Sequence, residues 1–214
     1  MIQCSELWFG YSDQPIIQGL TAKWGSDAIN VVQGGMGSGK STLAKLLVGA
    51  LKARSGEVRF GVDDPSLWTS ATQGLGYVPQ IGERTHHRVY ELLQQVMWAE
   101  GIHRKAEERA SAILYQVGLS GFEQRSLVTL SGFELSRLYW ALALVKNPQY
   151  LILDEVPLLQ DKRWRDVFEG MLRGLLARGC TVLWLSVQRP DFELPMSLYR
   201  LHHGGCSLHV SSVA

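Results

Sequence analysis

Gly34-Gly35-Met36-Gly37-Ser38-Gly39-Lys40-Ser41-Thr42 decides how this chain is read. Residues 34–41 fit G-x-x-x-x-G-K-[ST], a pattern that carries meaning only between a strand and a helix. Both flanks are legible. Residues 28–33 (AINVVQ) form a short β-rich run that stops at the glycines. Residues 40–52 (KSTLAKLLVGALK) carry Leu43, Leu46, Leu47 and Leu51 at a spacing that gives a helix one buried face. Residues without side chains let successive main-chain N–H groups turn inward on an anion, and the helix N-terminus adds partial positive charge there. Lys40 can then reach the β- and γ-phosphates of a nucleoside triphosphate. The Ser41 hydroxyl suits Mg²⁺, which takes oxygen ligands and keeps several waters.

Working outward, residues 150–153 (YLIL) and 181–185 (TVLWL) are compact apolar runs of the kind found in a parallel sheet, with a helical stretch at residues 162–177 between them. Asp154 and Glu155 stand where the YLIL strand ends, so the sheet edge near the loop carries two adjacent acids. Successive residues leaving a strand point in different directions. Asp154 can therefore face Mg²⁺ through a water, while Glu155 polarises a water for attack on the γ-phosphate. The plainer reading is an acidic turn that caps the next helix.

Residues 2–9, 20–24, 56–60 and 75–78 read as further strands, residues 89–99 and 106–117 as helices, and residues 198–210 as a closing hairpin around His203-Gly204-Gly205. The chain of 214 residues accommodates one sizeable core with a small insert. With 21 Lys plus Arg against 20 Asp plus Glu, the net charge of +1 supplies no global field for a polyanion, so nucleic acid is not an expected partner. Cys4, Cys180 and Cys206 lack ligand or redox spacing and read as free thiols of a reducing compartment. The six histidines include two adjacent pairs, which chelate one ion poorly, and no metal beyond Mg²⁺ is expected. Trp98, Trp140 and Trp184 fall within helical or strand patterns and are expected in the core. The opening MIQCSELWFGY has neither the basic stretch nor the apolar run of a signal peptide, and no apolar stretch reaches the roughly 18 residues of a membrane span.

Taken together, these residues look like the nucleotide-binding subunit of an ABC (ATP-binding cassette) transporter, a resemblance that runs the whole length of the chain. It implies an α/β, P-loop NTPase fold as one domain over residues 1–214. A mixed or parallel core over 1–80 and 147–214 would carry an N-terminal antiparallel β region, and a helical signature subdomain over 81–146 would be inserted in it. The resemblance implies ATP and Mg²⁺ as ligands. By position, Tyr11 is similar to the family's adenine-stacking aromatic, and Gln80, ending GYVPQ, to the Q-loop glutamine that touches Mg²⁺ and the attacking water. Leu130-Ser131-Gly132-Phe133-Glu134 resembles the LSGGQ signature, with Ser131 and Gly132 facing the ATP of the opposite subunit; the same residues also read as a Ser-capped helix start. Asp161 corresponds to the D-loop aspartate. Lys40, Gln80 and Glu155 would be catalytic, and Ser41, Gln80 and Asp154 would serve the metal. The wording AKLLVGALKARSGEV and LSGFELSR is most similar to cobalt-type and energy-coupling-factor importer ATPases.

Two departures stand out. The second signature glycine is Phe133, and a β-carbon there predicts a clash with phosphate or a strained dihedral costing about 1–2 kcal/mol. After TVLWLS the family has a histidine that contacts the γ-phosphate, where this chain has Val187 followed by Gln188. Slow hydrolysis is the expectation, by about 10²–10³-fold, with Gln188 as a partial substitute donor. The expected partners are an integral membrane permease subunit and a second ABC ATPase, in a homo- or heterodimer, with the chain peripheral on the cytoplasmic face of the membrane. The alternative is a soluble ABC ATPase with a regulatory or assembly role.

Overall fold

Two hydrophobic clusters, one on each face of a six-stranded sheet, organise the molecule, and the computed structural model describes residues 1–12, 14–61, 74–80, 83–156, 162–202 and 205–208. The sheet comprises β3 (Ile29–Gln33), β5 (Leu75–Val78), β6 (Tyr150–Asp154), β7 (Thr181–Ser186), β8 (Met196–His202) and β9 (Gly205–Leu208), in the order β5-β6-β7-β3-β8-β9. Every neighbouring pair is parallel except β8 with β9. On β6, Leu151 and Leu153 enter one cluster and Ile152 the other; on β7, Val182 and Trp184 oppose Leu183 and Leu185. A strand covered on both faces needs apolar side chains at every position. That is why YLIL and TVLWL read as continuous runs.

A second sheet, β1 (Ile2–Tyr11), β2 (Gln14–Trp24) and β4 (Ser55–Phe60), is antiparallel with the order β2-β1-β4. Between the two sheets lies α1 (Lys40–Leu47), which buries Lys40, Leu43, Ala44 and Leu47 on one helical face. The helix stops short of the expected Lys52. Gly49 adopts φ 75°, its N–H donates to the Leu46 carbonyl at 3.1 Å, and the Leu51 N–H reaches back to the Lys45 carbonyl at 3.1 Å. This is a left-handed glycine stop, which the apolar spacing running on to Leu51 concealed.

The other face of the six-stranded sheet carries α2 (Val89–Ala99), α3 (Ala106–Gln116), α4 (Gly132–Val145) and α5 (Lys162–Ala177). Phe168 of α5 is the hub that joins them to the sheet: its ring lies 4.5 Å from Trp140 of α4, 5.4 Å from Trp184 of β7 and 5.6 Å from Phe192. Such aromatic pairs add about 0.5–1.5 kcal/mol each beyond their burial. Trp140 and Trp184 are core residues as expected, whereas Trp98 on α2 is 65% exposed. Cys4 and Cys180 are buried, and burial pushes the Cys180 thiol up to about 12. Asp161, the turn residues His203 and Gly204, and the tail from residue 209 lie outside the described residues. Among the described residues no helix is long and apolar enough to cross a membrane.

Candidate functional site

The start of α1 and the C-terminal ends of β3, β6 and β7 converge on one sheet edge, and the glycine-rich loop occupies it. Gly34 N–H donates to the Ser186 carbonyl at 3.2 Å, which ties the first loop residue to the end of β7. Gly39, at φ 97°, turns the chain into α1, with Ile16 and Ile17 of β2 crowding the space where a β-carbon would stand. A side chain there would be both strained and compressed. The outer loop is open, since nothing lies within 4 Å of a β-carbon placed on Gly35 or Gly37. Its main chain is therefore free to approach phosphate.

Lys40 falls on the buried face of α1 together with Leu43, Ala44 and Leu47, so helical phase alone draws its side chain beneath the loop. It is 5% exposed. Its Nζ donates to the carbonyls of Gly34 at 2.7 Å and Gly35 at 2.8 Å, and pairs with Glu155 Oε1 at 3.1 Å. On the next residue, Ser41 Oγ donates to Asp154 Oδ1 at 3.1 Å. Tyr77 OH, from neighbouring β5, lies 3.5 Å from Asp154 Oδ2.

Asp154 closes β6 and is 2% exposed. Burial raises its carboxyl above the ordinary carboxylate range, the Ser41 hydrogen bond pulls the other way, and the Glu155 charge adds to the rise. Burial, with the charge of Asp154 and its hydrogen bond, pushes the Tyr77 phenol well up. A buried carboxylate beside a second acid is relieved by a divalent cation, and an oxygen-only set of Asp154, Ser41 and phosphate fits Mg²⁺. Glu155 sits at φ 46°, a left-handed backbone for a non-glycine residue of the kind that costs about 1–3 kcal/mol and clusters at functional sites. Its N–H still pairs with the Leu185 carbonyl at 2.9 Å, but the turn sends its carboxylate to Lys40 and to the Val187 N–H, 3.1 Å from Oε2.

The structure thus gathers these residues into a network of two adjoining groups, Lys40 with Gly34, Gly35, Ser38 and Glu155, and Ser41 with Asp154, joined through the adjacent pairs Lys40-Ser41 and Asp154-Glu155. Met36, at the loop tip, is 95% exposed, and Thr42 is half-buried on α1. Tyr11 ends β1, half exposed and met edge-on by Phe9 at 5.0 Å. It does not line the cavity of about 350 Å³ beside the loop, which is walled by Pro15, Ile16, Gln18, Met36, Ser38 and His202 among others. Gln80 is exposed just past β5. Among the described residues no hydrogen bond or ion pair joins Tyr11, Gln80, Ser131 or Gly132 to the network.

Ser131 caps α4. Its Oγ accepts from Glu134 N–H at 3.2 Å, and its own N–H donates to Glu134 Oε2 at 2.7 Å, which holds the Glu134 carboxyl below its usual range. The strained dihedral expected at Phe133 is not found. Phe133 lies within α4, outside the left-handed region, because a helix start accepts a side chain readily. A β-carbon on Gly132 would likewise meet nothing within 4 Å. The Phe133 ring is 54% exposed, so any obstruction it causes falls on a molecule outside the chain. Tyr77, Ser186 and the Val187 main chain are site neighbours that the sequence reading missed. The only signal for Tyr77 was its place one strand over from β6, and that pairing joins distant segments.

Residues 17–157 match the family described as ABC transporter. A Pyrococcus abyssi protein assigned as an ABC transporter ATP-binding protein is 32% identical over 183 residues, covering 82% of this chain and 67% of that protein. The Nod factor export ATP-binding protein I of Rhizobium meliloti strain 1021 is 33% identical over 176 residues, covering 81% of this chain and about half of that protein, 52%. Among solved structures, a dimeric ATP-binding cassette in a post-hydrolysis state, bound to ADP and Pi, superposes with a TM-score of 0.79 at 18% identity, covering 97% of this chain and 98% of that one. An exporter cassette matches at 33% identity, so the likeness crosses transport classes and the narrower one to cobalt-type and energy-coupling-factor importers is not confirmed. With the loop, the buried lysine and the paired acids assembled at one sheet edge, the chain belongs to the ABC transporter family, as an ATP-binding subunit.

Proposed function

We propose that this subunit binds and slowly hydrolyses ATP with Mg²⁺, closing as a dimer around the nucleotide to drive a membrane permease. The observation that carries the reading is the junction of Lys40 with Glu155 at 3.1 Å and Ser41 with Asp154 at 3.1 Å beneath an open glycine loop. In this reading Gly34–Thr42 hold the triphosphate, Lys40 exchanges its carbonyl partners for phosphate oxygens, and Ser41, Asp154 and Gln80 serve the metal. Held there, Mg²⁺ would supply charge neutralisation for the triphosphate. Glu155 then accepts the proton of the attacking water. Tyr11 stacks on adenine, and Ser131 and Gly132, within a signature subdomain over residues 81–146, approach the nucleotide held by the second cassette.

Slow turnover follows from two side chains. Val187 is apolar where the family has a γ-phosphate donor, and the Phe133 ring projects from the start of α4, at the surface offered to the second nucleotide. Loss of a γ-phosphate contact of this kind lowers kcat by about 10²–10³-fold. Gln188, exposed beside Val187, is the substitute donor. Steady-state ATPase rates ordinary for the family and unaffected by Gln188→Ala would overturn this part.

The test of the whole is co-purification of Glu155→Gln, which should stall with ATP bound, from detergent-solubilised membranes. Recovery of a stoichiometric integral membrane permease supports the reading, and recovery only from the soluble fraction, without one, overturns it in favour of a non-transport ATPase.

A further inference from the structure

Val187 offers no polar side-chain atom, yet position 187 still holds Glu155, because its main-chain N–H donates to Oε2 at 3.1 Å. What aims that N–H is the turn over residues 186–188. Ser186 is the last residue of β7 and is buried; its Oγ donates to the Gln188 carbonyl at 2.7 Å and accepts from the Gln188 N–H at 3.3 Å. The same residue's carbonyl accepts from Gly34 N–H at 3.2 Å, so the turn is anchored to the loop as well.

We propose that Ser186 is a positioning residue for Glu155: its hydroxyl closes the turn that points the Val187 N–H at the carboxylate. This rests on the hydrolytic reading above. Any residue at 186 supplies the carbonyl that steadies Gly34, whereas the short side-chain hydroxyl both donates to the carbonyl and accepts from the N–H of Gln188, two groups of flanking peptides that alanine would leave without it. The two jobs of Ser186 are therefore chemically separable. Glu155 has a second partner, Lys40, on Oε1. When Lys40 turns to phosphate that partner is lost, and the Val187 N–H is the contact that keeps the acid oriented toward water. An orienting contact of this kind acts on the chemical step and leaves nucleotide binding largely alone.

The test uses the full chain. Ser186→Ala should lower kcat about 10-fold, the worth of one hydrogen bond to a charged group, and leave KM for ATP within about 2-fold. Ser186→Thr, which keeps the hydroxyl, should restore most of the rate. In ¹⁵N-labelled, nucleotide-free protein the Val187 amide should lose exchange protection in Ser186→Ala and in Glu155→Ala, and keep it in Ser186→Thr. A rise in KM parallel to the fall in kcat, failure of threonine to rescue, or an unchanged Val187 amide in Ser186→Ala would each overturn the proposal. Absence of Mg-dependent hydrolysis in the unaltered protein would instead overturn the functional reading, and the amide measurement would still decide whether Ser186 aims the Val187 N–H.

Discussion

Replacing Lys40 with methionine tests the heart of the site, because the side chain keeps its length and loses its charge. In the nucleotide-free protein Nζ satisfies two loop carbonyls, at 2.7 and 2.8 Å, and neutralises Glu155 at 3.1 Å. Breaking a buried ion pair from one side costs about 3–5 kcal/mol, because the stranded partner stays desolvated. Glu155 is 17% exposed, so water recovers part of that, and about 2–3 kcal/mol is the expected loss. For a chain of this size each kcal/mol moves Tm by about 2–4 °C, so thermal denaturation followed by circular dichroism in EDTA should show a fall of about 5–10 °C. Affinity for a fluorescent ATP analogue should drop by about 10–100-fold, the worth of a charge-assisted contact. The pairing makes a sharper demand on the double variant. Lys40→Met with Glu155→Gln leaves no stranded charge, so more than half of the lost Tm should return while nucleotide binding stays weak. A single variant that melts like the wild type, or a double variant no more stable than the single, would refute the buried pair.

Three further outcomes follow from the same geometry. Burial raises the Asp154 carboxyl above its unfolded value, so its ionised form costs stability at neutral pH, a penalty that is absent below the unfolded pKa and grows as pH rises through the folded one. Asp154→Asn should therefore melt higher than wild type at pH 7 in EDTA, with the advantage shrinking toward pH 4, and should lose Mg-dependent hydrolysis; melting curves across pH decide it. Ser131→Ala removes the α4 cap and should lower Tm by about 2–4 °C, from about 1 kcal/mol of capping, without changing nucleotide affinity of the isolated subunit by calorimetry. Phe133→Gly alters a half-exposed helix position at a cost of about 1 kcal/mol or less, and should raise the steady-state ATPase rate, with Val187→His added to it raising the rate further. An unchanged rate in both would remove these residues as the cause of slow turnover.

The core of the site was legible because its parts are local. The strand, the glycines, Lys40 and Ser41 are consecutive, and the acids follow directly from a strand end, so periodicity and one motif suffice. What escaped the sequence is what distant pairing creates. Tyr77 reaches Asp154 only because β5 pairs with β6, with Val78 opposite Leu153. At Phe133 the expected backbone strain is absent because the residue sits at a helix start, which accepts a side chain without a left-handed dihedral. The end of α1 was misjudged because Leu51 continues an apolar spacing that Gly49 has already broken.

Position 187 shows the limit most clearly. The family resemblance leads one to expect a histidine where this chain has Val187, and so a missing side-chain contact. Glu155 nonetheless remains held by the chain at that point, through an N–H that every residue except proline carries. On the proposed reading, the chain thus lacks a side-chain donor toward the γ-phosphate at 187 while its main chain still holds the acid assigned to water. Those are separate losses, and they separate in kinetics: the first is repaired by a side chain at 187, the second only by the backbone turn that Ser186 closes. Val187→His should therefore raise kcat by a similar factor with Ser186 present and in Ser186→Ala, and a gain confined to the Ser186 background would show that the two losses are not separable.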